Sequence, residues 1–278
     1  MDVLVTPFLD SAFMQRALLA GGLVAIASAV VGTFVVLRGL AFIGDALAHG
    51  VLPGVAGALI LGAPTLLGAG IGAAAMIAGV TLVTRRSRLS GDTAIGILFA
   101  GMLALGVVVV SRSDSFTGDL TRILFGDVLG LSWGDVRGQA LATAAVVVAA
   151  ALCARPFLLL SVDPDAATVA GFPAARYHAL MLALIAVTVV VSFRAVGTLL
   201  VFGMIVAPPA TAALFARRIG VMMAAAAALG AASVWVGLVL SYRHDLAAGG
   251  SIVLVQVAVF FAALAAAAVR RPAVGRLR

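Results

Sequence analysis

Lysine is absent from the 278 residues, and cysteine occurs once. Without lysine the phosphate-binding loop G-x-x-x-x-G-K-[ST] cannot be built. Any ATP hydrolysis the protein depends on must therefore come from another subunit. The single cysteine, Cys153, excludes an internal disulfide and a metal centre made of several thiolates. Charge is scarce as well, at 10% of residues. All of the positive charge behind the net +7 is arginine, and most of it sits at the ends of apolar runs. That distribution excludes nucleic acid as the expected partner.

What is present is apolar length. Hydrophobic residues make up 64% of the chain, and the mean hydropathy is +1.23. A helix crossing the hydrocarbon core needs about 20 apolar residues, and such runs follow one another almost end to end. The expectation is an all-α, polytopic membrane protein forming a single transmembrane domain over residues 1–278. The residues before Met14 lack a basic segment and a small-residue cleavage site, so no removable signal peptide is expected.

Nine spans are predicted, at 14–37, 45–62, 64–84, 92–112, 137–155, 177–195, 196–216, 219–241 and 251–269. Eight follow if 45–62 and 64–84 form one bent or re-entrant unit. The junction at 195/196, near Arg194 and Gly197, demands a tight turn. Placing the N-terminus outside puts twelve arginines on the inner side and six on the outer. The positive-inside rule then favours N-out, C-in.

Glycines crowd the spans at Gly50, Gly54, Gly57, Gly68, Gly70, Gly72, Gly96 and Gly101. Close helix packing is their expected role. Residues 113–138 are too polar to span, and their pattern predicts a short amphipathic interfacial helix with Trp133 as an anchor.

The chemistry concentrates at residues 44–54, Gly-Asp-Ala-Leu-Ala-His-Gly-Val-Leu-Pro-Gly. Asp45 and His49 are four apart and share a helical face. Pro53 has no N–H and would free the His49 carbonyl. Together these make a candidate ion site, and ionisable groups within a membrane segment are costly and usually functional. The alternative is that Asp45 caps a helix and His49 simply packs. Pro208 and Pro209 interrupt the span at 196–216, either as a kink lining a cavity or as plain structure. His244 and Asp245 follow span 219–241 on the outer side, as part of an entry gate or as a polar loop.

Residues 160–173 read as a two-turn helix outside the bilayer. Asp163 suits the N-cap, Pro164 the first helical position, Asp165 the first turn and Gly171 the C′ stop. It lies on the arginine-rich side, either as a connector or as a contact for a soluble motor.

A series of motifs in order carries a resemblance. They are Leu37-Arg38-Gly39, Gly44-Asp45-Ala46-Leu47-Ala48-His49, Leu52-Pro53-Gly54 and Asp92-Thr93-Ala94-Ile95-Gly96-Ile97. Leu124-Phe125-Gly126-Asp127, Gly197-Thr198-Leu199-Leu200 with Pro208, and Leu240-Ser241-Tyr242 continue the series. Over about residues 15–264 the chain resembles the permease subunit of zinc/manganese/iron-uptake ABC importers, departing from it at Gly50 and at the doubled Pro209.

The resemblance implies a type II ABC importer fold and two copies forming a pore on a two-fold axis. It also implies two ATPase subunits docked on coupling helices at about 163–171, and an extracytoplasmic metal-binding protein. The cell (inner) membrane of a bacterium is the implied location, with the C-terminus cytoplasmic. The chain itself would not be an enzyme. No cofactor would be bound permanently; a divalent metal would be the cargo, and ATP would act through the partner. Asp45 and His49, with Asp245 as a further ligand, are the expected metal contacts. Two alternatives stand beside this reading: a siderophore- or cobalamin-type ABC permease, and a secondary carrier using Asp45/His49 as a proton or ion relay. An intramembrane enzyme lacks an H-E-x-x-H pair or a nucleophile elbow.

Overall fold

The structure, a computed structural model, describes residues 8, 11–87, 89, 91–111 and 130–270. Among them the chain is helical and contains no strand. In order the helices are α1 (Ala12–Leu37), α2 (Ala41–Gly50), α3 (Leu52–Ile60), α4 (Thr65–Arg86), α5 (Gly91–Val110) and α6 (Trp133–Leu152). They continue as α7 (Ala154–Val162), α8 (Pro164–Val169), α9 (Ala174–Ala213), α10 (Ile219–His244) and α11 (Ala248–Arg270).

Eight segments among the described residues are long and apolar enough to cross a membrane, and α2 with α3 forms one of them, Ala41–Ile60. The predicted spans 45–62 and 64–84 are therefore separate, divided by a turn in which Gly62 adopts φ +65°. The predicted span 196–216 is corrected: its helix, Leu200–Ala213, is a shorter apolar piece. At 1.5 Å per residue it covers only about 21 Å of a core about 30 Å thick.

Contacts between elements give the direction of each crossing. A Cβ on Gly21 would meet Val234 and one on Gly230 would meet Ala25, so α10 runs antiparallel to α1. Early in α9, His178 bonds Arg38 at the end of α1, while Ser192 bonds Gln139 of α6. Further along, Ile205 lies back against Gly32. The forty-residue α9 is thus a hairpin, folded where Gly197 takes φ 76°, ψ 164°. Only glycine enters that conformation cheaply, so the expected tight turn has a specific cause. One face of the bundle carries Arg38, Ser87, α7, α8 and Arg217-Arg218; the opposite face carries Ser11, Ser132 and Asp245.

Lipid removes the water-driven attraction between helices, leaving packing and hydrogen bonds to hold the bundle. Small residues serve the first. A Cβ on Gly54 would sit 2.0 Å from the Gly68 carbonyl oxygen, and one on Gly68 would sit 2.2 Å from that of Gly54. Gly72 lies against Gly50 and Val51 less tightly, with its Cβ position 2.8 Å from the Gly50 carbonyl oxygen. Gly57, Gly70, Gly96 and Gly101 face open space, so close packing explains only part of the glycine set. Helix α1 is the centre, with 67% of its apolar window buried, whereas α11 has 11%.

Two further segments bear on the sequence reading. Span 137–155 begins earlier, at Trp133, and ends at Leu152; a separate helix α7 follows. Ser132 caps α6 in a reciprocal box with Asp135, and Trp133 stands half exposed at its first turn. The amphipathic helix predicted over 113–138 falls mostly on residues 112–129, outside those described.

Candidate functional site

Helix α1 is closed by Gly39 at φ +66°, with the Leu40 N–H bonded to the Val35 carbonyl. The chain re-enters as α2, whose N-cap is Leu40. Asp45 is therefore inside the helix, and the capping alternative for it does not hold. Its Oδ1 lies 3.4 Å from His49 Nε2, with the side chains 29% and 22% exposed. That separation is longer than a good hydrogen bond. At metal–ligand lengths of about 2.1 Å, two atoms 3.4 Å apart subtend about 108° at a shared ion, close to tetrahedral. The ring of His49 stands edge-on to Phe99 of α5, at 5.4 Å and 76°. Its Nδ1 is buried with no hydrogen-bond partner among the described residues.

Asp45 borders a recess of 360 Å³ formed by Phe42, Asp45 and Ala46 of α2 and Asp92, Ile95, Gly96 and Phe99 of α5. Asp92 sits in the first turn of α5, where the helix dipole favours a carboxylate. In the sequence Asp92 stands out only as the first residue of the motif Asp92-Thr93-Ala94-Ile95-Gly96-Ile97. The available signal was an acidic residue opening an apolar span, which does not reveal that α5 runs beside α2 in the same direction.

Pro53 does break the helix: α2 ends at Gly50 and α3 starts at Leu52. The His49 carbonyl is not left loose, however. Backbone N–H groups closing α2 bond to the carbonyls of Leu47 and His49. An α-to-tighter turn replaces the bond that Pro53 cannot give. Pro208 and Pro209 are buried inside α9, where Gly197 is the non-helical position. Pro209 has no N–H for the Ile205 carbonyl, which lies instead against Gly32; a Cβ there would be 2.1 Å from that oxygen. Asp245 closes α10 in the left-handed conformation, φ 51°, ψ 39°. It lies on the face opposite Arg38, whereas Asp45 lies on the Arg38 half, so one chain does not bring Asp245 to Asp45 and His49. Among the described residues no three His, Cys, Asp or Glu side chains gather as a metal-holding group.

The helix predicted at 163–171 is present as α8. Asp163 Oδ1 accepts from the Asp165 and Ala166 N–H groups at 2.9 and 3.1 Å. Pro164 takes the first turn. Gly171 adopts φ +86°, and its N–H and that of Phe172 bond to Thr168 and Ala167 carbonyls. This pair of bonds is the Schellman closure.

The match with known proteins extends over nearly the whole chain. Residues 10–267 match the model of the ABC 3 transport family. The manganese transport system membrane protein MntC of Listeria monocytogenes is 38% identical over 251 residues, covering 90% of this chain and 89% of that protein. A probable iron transport system membrane protein of Haemophilus influenzae is 37% identical over 269 residues, covering 97% and 98%. Among solved structures, PsaBC from Streptococcus pneumoniae in complex with Fab superimposes with a TM-score of 0.85 at 33% identity, covering 94% of each chain. The chain belongs to the ABC 3 transport family, the metal-importer permeases its motifs resemble.

Proposed function

We propose that the chain is the pore-forming subunit of an ATP-driven importer of a divalent metal ion, zinc, manganese or iron. It acts as a homodimer in the bacterial cell membrane, with the N-terminus outside and the C-terminus cytoplasmic. Two ATPase subunits engage the arginine-rich face, and an extracytoplasmic protein delivers the ion to the other. The observation that carries this reading is the Asp45–His49 pair, set within a membrane span at 3.4 Å beside a recess. Relatives named as manganese and iron transport membrane proteins support the cargo class.

Two ligands from one chain hold an ion weakly, as a conduit requires. Water, or the same pair in a second copy, completes the shell. The carboxylate and imidazole suit zinc, manganese and iron alike, so the pair sets the class of cargo and not its identity. On the arginine-rich side, Val162 at the end of α7 and Val169 at the end of α8 are 80% and 90% exposed, an apolar contact offered to a soluble subunit.

The test is uptake of radiolabelled manganese and zinc in cells lacking their own importer, supplied with the chain and its partner subunits. Asp45→Ala and His49→Ala are each expected to abolish uptake while the protein still inserts and co-purifies with an ATPase. Normal uptake by both variants would make the pair structural. Failure to retain any ATPase would favour the secondary carrier.

A further inference from the structure

Helix α8 is too short and too exposed to act on the ion path directly, but a line of aromatic rings leaves it. Phe172, the residue after its Gly171 stop, meets Tyr177 edge-on at 5.7 Å and 81°. Tyr177 meets Phe157 of α7 at 6.4 Å and 85°. Phe157 meets Phe34 of α1 at 5.3 Å and 70°. Phe157 and Phe34 are 1% and 2% exposed, so the line ends in the centre of the bundle. It ends close to Gly32, the residue on which Ile205 and Pro209 of α9 are seated. Beside Tyr177, His178 Nδ1 accepts a 2.8 Å hydrogen bond from Arg38 Nη1, clasping the end of α1 to the start of α9.

Each ring pair has the edge-to-face geometry that aromatic quadrupoles prefer, and a ring is a rigid plate with two torsions. Close-packed rigid groups pass displacement on and do not absorb it. A shift of α8 would therefore be passed to α1 and, through Gly32, to the proline segment of α9. The aromatic residues of this chain are few, 6% of the total, and four of them lie on this one path.

We propose that Tyr177 is a positioning residue for transport: it passes movement of α8 to α1 through Phe157 and Phe34. The inference rests on the reading of α8 as the ATPase contact. Tyr177 touches neither nucleotide nor ion; it acts through α1.

The experiment uses the whole complex in proteoliposomes, with ATPase subunits and binding protein, and reads metal transported per ATP hydrolysed, with manganese as the probe. Tyr177→Ala and the bulkier aliphatic Tyr177→Leu are expected to lower that ratio about tenfold, within the usual range of coupling between sites. ATP hydrolysis by the assembled complex should persist. Tyr177→Phe keeps the ring and should restore the ratio. An unchanged ratio in both Ala and Leu variants overturns the proposal. So does a proportional loss of transport and hydrolysis, which marks a purely structural ring. Asp163→Ala separates the two readings. If it leaves the ratio intact, α8 is not the coupling contact; if it lowers the ratio and Tyr177→Leu does not, only the aromatic path is wrong.

Discussion

At the scale of single residues, charged groups are scarce, at 10% of the chain, and Arg38 shows what one of them does. Arg38 is half-buried at the end of α1, and burial lowers its pKa from the ordinary value. A guanidinium has donors and no acceptor, so the Nδ1 of His178 must be the accepting atom in their 2.8 Å bond. The imidazole is then neutral, with its proton on Nε2. Removing that acceptor leaves a part-buried N–H of a cation with only the Met181 sulfur at 3.9 Å, a cost of about 1 kcal/mol. His178→Ala is expected to lower the thermal unfolding midpoint of the detergent-solubilised protein, and His178→Gln, which keeps an acceptor, to lower it less. Equal midpoints in both variants and the parent would show the bond to be idle.

Elements meet through glycine here, and the geometry separates the glycines that matter from those that do not. At Gly54 and Gly68 a methyl group would collide with the carbonyl backbone of the facing helix, and at Gly32 with that of Ile205. Backbone cannot rotate aside as a flexible side chain does, so α3 and α4, or α1 and α9, must separate. Gly54→Ala, Gly68→Ala and Gly32→Ala should each destabilise by about 1–3 kcal/mol, the usual range for overpacking. Gly57→Ala and Gly70→Ala, with open space around them, should be neutral in the same unfolding assay. Helix α8 gives the second prediction at this scale. Each end is closed by one specific device, and a lost cap costs about 1 kcal/mol. Gly171 at φ +86° cannot become β-branched without strain. Asp163→Ala combined with Gly171→Val should leave the spans inserted while transport per ATP falls. Unaltered coupling would reduce α8 to a connector.

For the whole molecule, the two faces of the bundle define a testable orientation. Ser87 ends α4 and Ser132 caps α6, and the helix directions put them on opposite faces. With Cys153 replaced, a cysteine at Ser132 should react with an impermeant thiol reagent added outside, and one at Ser87 should react only after permeabilisation. Labelling of both from outside would overturn the N-out arrangement. The order of crossings also separates the candidate metal ligands within one chain. Asp45 and His49 sit toward the Arg38 face, and Asp245 closes α10 on the other. On the proposed reading, a complete metal shell requires a second copy, solvent, or both.

The sequence by itself determined the class of fold, because hydrophobic runs of membrane-spanning length have one solution in lipid, the hydrogen-bonded helix. It also determined α8 to the residue, since Asp163, Pro164 and Gly171 each act on backbone groups within one turn. Asp45 and His49 were legible as a pair for the same reason: helical spacing is local. What lay beyond it was pairing between distant elements. That Asp92 shares a recess with Asp45, and that Gly54 rather than Gly57 carries the contact with α4, depends on helix direction and rotation. Those follow from the combined packing of all the helices and leave no mark at a fixed spacing. The helix after Gly197 is shorter than its hydropathy suggests, because hydropathy does not register where a helix stops when the following residues stay apolar. The ring path from Phe172 to Phe34 joins residues 138 positions apart, and only the tertiary structure decided it.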